Sequence, residues 1–549
     1  MIEAARTPTD SPHPPPPSPR RTPFAHSGRG SEDRTVFSPR PGELRSGGEG
    51  RAERVILLLL NLLLLIPVIL YTLNSLSIRY YGDDYCVGVE VQQYGVLGAA
   101  VYFYNTWVGR LTALVAHGAL LELGGWQVGA AATVLLCALW WALLYALGRH
   151  FARWRGLPHL KLMAAAGASV VFLATFGFIE IMQAVYWLPG MTMYFLPLIL
   201  GAAYAWLVMR AGWLPLIAGA ALAFAAALCS DVYALTQMEL IGLGLLLWWR
   251  HRDRRRALVV GLIVSALALL ILLIAPGNDA RIAATSPNGL DLGAAALQTL
   301  FSPAIMLWRT LELNGFPLYA AIAAALIIPA AAAFAFDRAP ARRLWLPLIA
   351  IPILICLVIM AFWFPTAYLS STWAPRRAWV APQVAAVLLW MAWGYVWGLA
   401  ARNIVRSPSD TMGITPPDPQ RVGLEAASLL KQAEQPRSRG LSPTAGGFEP
   451  PARGVQFAFA ALLIASLLLS AGSLTRGSDV GSQLNALAAW WAEADADLRA
   501  AAGQPIEVTL PRPPGTLGTL RVLSAGAAGW PNHCLSRYFG VAAVTMRDP

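Results

Sequence analysis

The stretch "RYYGDDYC", Arg79 to Cys86, sets two adjacent carboxylates, Asp83 and Asp84, directly after a long apolar run. Like charges side by side repel, and nearby hydrocarbon raises the cost, so the pair calls for water, a cation, a metal or a substrate. Further polar residues recur at the ends of apolar runs. Arg110 closes "YNTWVGR", and Glu180 opens "EIMQAVYWLPGMTMY", which also carries Trp187. Asp231 and Glu239 fall in "SDVYALTQME", Arg281 in "APGNDAR", and Arg376 and Arg377 in "WAPRRAW". A carboxylate can take the proton of an attacking hydroxyl, and a planar guanidinium binds phosphate through two parallel hydrogen bonds. Together they suit a lipid-phosphate donor, with aromatics such as Tyr85 and Trp187 available to stack on a sugar. A second carboxylate would stabilise positive charge growing at an anomeric carbon.

The elements that must position these groups are apolar helices. Of 549 residues, 57% are hydrophobic and only 13% are charged, with mean hydropathy +0.53, which describes a polytopic membrane chain. Val55 to Leu76 alone runs twenty-two residues without a formal charge, enough to cross a hydrocarbon core of about 30 Å. Eleven runs of spanning length are expected, near 55–76, 127–148, 162–179, 191–209, 213–230, 233–249, 257–275, 316–336, 344–363, 379–401 and 455–474.

The net charge of +11 sits mostly in three basic loops, 149–161, 250–256 and 337–343, which hold twelve Lys/Arg against two Asp. That pattern marks the cytoplasmic side, so a nucleic-acid partner is excluded in favour of a membrane. Parity between these loops leaves 96–121 and 292–314 as outer interfacial segments after spans one and seven, and the N-terminus inside. Residues 1–54 read as a disordered cytoplasmic tail, 55–402 as the multi-spanning core, 403–453 as a disordered cytoplasmic loop, 454–474 as the last span and 475–549 as a small outer tail. The acidic and basic residues above then share the outer face.

The histidines show no ligand spacing, although an outer carboxylate cluster could still bind a divalent metal, and no phosphate-cradling glycine loop or Ser-His-Asp order is present. Asp83 and Asp84 could also serve only as helix caps, and Arg376 and Arg377 only as headgroup anchors. Cys86 and Cys534 both fall outside, where disulfides persist, which makes them a candidate pair, with two free thiols as the alternative.

An acidic pair in the first outer loop, an interfacial helix after it and a second large outer loop after span seven resemble the GT-C class of integral-membrane glycosyltransferases. The segments "YYGDDYC", "YWLPGMTMYFLP", "APGNDAR" and "PNHCLSRYFG" resemble those of an uncharacterised bacterial branch of multi-spanning proteins placed near that class. The resemblance implies a GT-C-like fold in the bacterial plasma membrane and an inverting sugar transfer from a polyprenyl-phosphate donor to an envelope glycan, lipid or protein. It also implies that no metal or other cofactor is required. It puts the catalytic acidic motif on Asp83 and Asp84, one of them the base. Arg281, Arg376 and Arg377 become candidates for the phosphate, with Arg79 and Arg110 behind them and Glu180 and Asp231 nearby. A flippase or transporter of a lipid-linked or polar solute, and a noncatalytic envelope-assembly protein, are the competing readings.

Overall fold

The computed structural model describes residues 49–210, 212–285, 292–337, 344–370, 376–406, 453–516, 522–524, 526–527 and 529–547. The expected cytoplasmic tail 1–54 and loop 403–453 lie almost wholly outside them. Residues 52–549 form one compact unit, to which every element below belongs.

Inside hydrocarbon no water is available to bond an open N–H or C=O, so apolar runs close their backbone bonds as helices. In chain order these are α1 (Glu53–Ser77), α2 (Asp83–Thr106), α3 (Leu111–Leu123), α4 (Trp126–Trp154), α5 (Leu160–Phe178), α6 (Leu188–Val208), α7 (Trp213–Ala227) and α8 (Asp231–Trp248). They continue as α9 (Arg252–Leu273), α10 (Gly277–Thr285), α11 (Leu292–Phe336), α12 (Trp345–Ser370), α13 (Val380–Arg406) and α14 (Arg453–Ala500). Among the described residues nine helices are long and apolar enough to cross a membrane: α1, α4, α5, α6, α9, α12, α13, α14 and the Gly315–Phe336 part of α11. The chain therefore has the character of a multi-pass membrane protein. The other two runs expected to span are α7, of only 15 residues, and α8, whose apolar character Asp231, Gln237 and Glu239 dilute.

The segments expected to lie along one face are separate from the spans. Residues 96–121 form the part of α2 after its kink at Gly95, followed by α3. Residues 292–314 form the part of α11 before its kink at Gly315. Close backbone packing holds the spans together: a Cβ at Gly394 or Gly398 would overlap the carbonyls of Leu326 and Ala330, so this G-x-x-x-G lets α13 lie directly on α11.

Two ends of the bundle differ in chemistry. One carries Glu53 with His159, and Arg155 with Asp337 and Tyr395; this is the basic end. The other carries Asp83, Arg110, Asp231 and Arg377.

The C-terminal part departs from the expectation. The last span, expected over 454–474, is only the first half of α14, whose 48 residues measure about 72 Å at about 1.5 Å per residue. Beyond it the tail folds: β1 (Glu507–Leu510), α15 (Trp530–Phe539) and β2 (Ala543–Met546) make a small cap with a two-stranded parallel pair, so the chain is not purely helical. Asn532 is the polar hub of this cap. It is fully buried, accepts the Ser524 N–H at 2.8 Å and donates to the Ser524 and Val544 carbonyls at 2.9 and 3.1 Å.

Candidate functional site

The acidic pair begins α2. Both carboxylates stand in its first turn, where the helix dipole favours negative charge. Asp84 points inward and is 1% exposed. Its Oδ2 accepts the Tyr81 N–H at 2.7 Å, and its Oδ1 lies 2.8 Å from Nε2 of His117 on α3. Burial raises the Asp84 carboxyl, while the His117 and Tyr81 bonds oppose that rise. Asp83 keeps partial exposure. Burial and then the neighbouring Asp84 push its carboxyl up from 3.8 to about 7, with Arg377 acting the other way. Two adjacent aspartates thus stand in different environments: Asp84 is bonded to a histidine, and the Asp83 carboxyl is pushed up to about 7.

His117 was not among the residues singled out in the sequence. It is 33 residues from Asp84, too far for any spacing rule. The available signal was its setting, a histidine in the middle of the apolar helix "LTALVAHGALLEL", whose other titratable group, Glu122, sits at the C-terminal end. Its Nδ1 is buried without a hydrogen-bond partner.

The segment from Glu180 to Tyr194 lines up the remaining groups. Gln183 accepts a hydrogen bond from Arg377 at 3.0 Å, and the Arg377 guanidinium lies 5.5 Å from the Trp187 ring centre. At Met191–Phe195 the start of α6 widens into a π-helical turn, a local distortion that recurs at functional sites. Arg110 contacts Met193 there and pairs with Asp231 at 3.0 Å, while Arg281 lies within electrostatic reach of Arg110, Asp231 and Tyr194. Glu180 borders a cavity of about 20 Å³ with Arg309, Arg376 and Trp379, room for about one water. Burial raises the Glu180 carboxyl, against the charges of Arg476 and Arg376. Adjacent arginines therefore serve different partners, Arg376 near Glu180 and Arg377 at Gln183.

Gly190 makes this arrangement possible. A Cβ there would overlap the backbone carbonyl of Gln183, so only glycine lets the two strands of this turn approach. Gly190→Ala is expected to displace Gln183, release Arg377 and destabilise the fold by about 1–3 kcal/mol, measured as a fall in thermal midpoint in detergent.

Several residues expected at the site are elsewhere. Tyr85, assigned to a sugar platform, is 3% exposed and packs inside the cap interface against Trp491, Tyr538 and Phe539. Its ring is big enough to fill that interface, which removes it from substrate. Tyr81 and Tyr186 are fully buried, and the Tyr186 hydroxyl donates to the Tyr71 carbonyl at 2.7 Å. Arg79 lies 3.5 Å over the Trp126 ring and donates to the Ile78 carbonyl. Trp187 remains beneath Arg377, with its indole N–H buried and unbonded.

Cys86 and Cys534 are joined in a disulfide. It ties the first turn of α2 to α15 of the cap, whose Tyr538 presses on Gly88 and whose Arg537 pairs with Glu90 at 3.1 Å. Because the bond closes a 448-residue separation, Cys86→Ser is expected to cost about 2–5 kcal/mol of stability and to expose the cap to limited proteolysis. Unchanged melting and digestion in the variant would contradict that role.

Among the described residues no group of three or more His, Cys, Asp or Glu side chains is arranged to hold a metal ion. What the arrangement offers is one part-exposed carboxyl titrating near neutrality and several guanidinium groups at the same end. Compared with known proteins, the chain matches no family model, no curated protein and no solved structure.

Proposed function

We propose that this protein is a membrane glycosyltransferase that moves a sugar from a polyprenyl-phosphate carrier to a cell-envelope glycan, lipid or protein. The observation that carries the reading is Asp83, a part-exposed carboxyl held near neutral pH beside Arg377. An acceptor hydroxyl oxygen attacks the anomeric carbon and its proton passes to Asp83. The bond from that carbon to the phosphate oxygen breaks, and polyprenyl phosphate leaves with the electron pair. Arg377 meets the developing negative charge on the phosphate, with Arg281, Arg110 and Arg376 extending the cationic wall. Asp84, already bonded to His117, positions the turn and keeps the Asp83 carboxyl high.

In this reading α7 and α8 cross as a tight hairpin, making eleven spans with the N-terminus in the cytoplasm and the C-terminal cap outside, in a GT-C-like arrangement. It is supported by the separation of charge: Arg110, Asp231 and Arg377 occupy one end, the loops rich in arginine the other. The membrane is the bacterial plasma membrane, and the donor site faces its outer leaflet. A cap this small fits a monosaccharide donor.

The test is direct. Purified chain in vesicles is given radiolabelled polyprenyl-phosphate hexose or pentose and a membrane extract as acceptor. Covalent label on an acceptor, strongly reduced but still measurable in Arg377→Gln, is the expected result. Label that crosses the bilayer while still attached to its carrier would make the protein a transporter instead.

A further inference from the structure

A cavity of about 960 Å³ lies away from the aspartates, in the half of the bundle toward the basic end. Leu57, Trp140, Tyr204, Leu247, Leu388 and Leu399 are among its walls. Most polar groups in the wall are committed to the protein, the Gln237 Oε1 and the Trp140 indole N–H being the buried unbonded ones. The Tyr204 hydroxyl donates to the Ala257 carbonyl at 3.1 Å, and the Gln237 amide to Ala223 and Ser265 at 2.8 and 2.7 Å. A space of this size and lining takes hydrocarbon.

Its rim carries the opposite chemistry. Trp154, Arg155, Met209 and Trp248 border the cavity. Beside them Arg153, Arg210 and Arg254 gather within electrostatic range of His150. The Arg254 guanidinium stands 5.6 Å over the Trp248 ring and that of Arg210 stands 4.5 Å over Trp206. The nearby acids do not cancel this charge: Asp337 is taken by Arg155, and Asp253 is a single carboxylate on the exposed first turn of α9.

We infer that this cavity is a binding site for an anionic phospholipid from the leaflet at the basic end, with its acyl chains in the cavity and its phosphate at Arg210 and Arg254. Charge complementarity selects this occupant, because an apolar slot beside three guanidinium groups matches an acyl tail beneath a phosphate. A polyprenyl-phosphate donor does not fit as well. With its phosphate at the Asp83 end, its headgroup would be at the opposite end from this rim. The phospholipid site itself needs only a membrane and these residues; setting aside the polyprenyl-phosphate donor as its occupant rests on the glycosyltransferase reading.

Native mass spectrometry on the full chain tests it. After delipidation in detergent, the chain is offered an equal mixture of phosphatidylglycerol and phosphatidylethanolamine. One retained phosphatidylglycerol per chain is expected, in preference to phosphatidylethanolamine. Arg210→Gln and Arg254→Gln should each weaken that retention about fivefold. Ala205→Phe, which fills the cavity from α6, should abolish retention of both lipids. The two arginine variants change only the rim, so they decide the matter even if the filled cavity prevents folding. Equal retention of the two lipids, retention unaltered in the arginine variants, or displacement of phosphatidylglycerol by added polyprenyl phosphate would each overturn the inference.

Discussion

Asp83→Asn is expected to reduce sugar transfer by about 10²–10⁴-fold, the contribution of a positioned general base, while leaving the helix content unchanged. The wild-type rate should fall about tenfold per pH unit below about 7, because the base must be deprotonated and its carboxyl titrates there. Two neighbours move that limb in opposite directions. Asp84→Asn removes a charge that raises the Asp83 carboxyl and should shift the limb to lower pH. Arg377→Gln removes a charge that lowers it and should shift the limb to higher pH.

The same residue has a stability signature of known sign. Its carboxyl is raised in the fold, so the stability it contributes is full below its ordinary value of 3.8 and is lost as pH rises through about 7. Asp83→Asn should therefore melt higher than the wild type at pH 8 and show no such gain at pH 4. Lost transfer together with gained stability at pH 8 is the pattern of a raised carboxyl used as a base. Asp83→Ala tests whether the side chain also supports the first turn, because alanine, unlike asparagine, cannot cap or complement the helix start. A pH-rate profile with no break between pH 5 and 8 would remove Asp83 from the base role.

The second large effect is expected at His117. His117→Leu leaves the Asp84 carboxyl buried without the imidazole that lies 2.8 Å from it, and should destabilise the protein by about 3–5 kcal/mol. Asp84→Asn removes the charge from the other side. The double variant Asp84→Asn/His117→Leu should cost less than the sum of the two single changes, because it leaves no unpaired buried charge. Urea or thermal titration of the four proteins gives the coupling directly, and strict additivity would show that the two groups do not act as a pair. If His117→Leu instead leaves stability unchanged and only shifts the transfer profile, its role lies with Asp83 rather than with the fold.

Much of the architecture is written in periodicity and composition. Uncharged runs such as Val55 to Leu76 must become helices, since lipid offers their backbone no other partner. Parity between the basic loops set apart 96–121 and 292–314. The first lies in the second half of α2 and in α3, neither of them a span, and the second is divided from the span Gly315–Phe336 by the kink at Gly315. Span number is less legible. Residues 213–230 and 233–249 are apolar enough to propose, yet they fold as a 15-residue helix and a helix carrying Asp231 and Glu239. Local hydrophobicity cannot measure how a short hairpin sits among longer neighbours.

By itself the sequence determined that this chain is a helical membrane protein with carboxylates and arginines gathered at the ends of its spans, because burial cost acts residue by residue. It also pointed to Cys86 and Cys534 as a pair, from the side of the membrane on which both were expected. Only the tertiary structure decided which aspartate is locked and which is open, since His117 bonds Asp84 from α3 and Arg377, itself held by Gln183, acts electrostatically on Asp83. Only it moved Tyr85 from the substrate to the cap interface and extended the last span into α14. A carboxyl's charge state depends on what surrounds it in space, and no spacing along the chain encodes that.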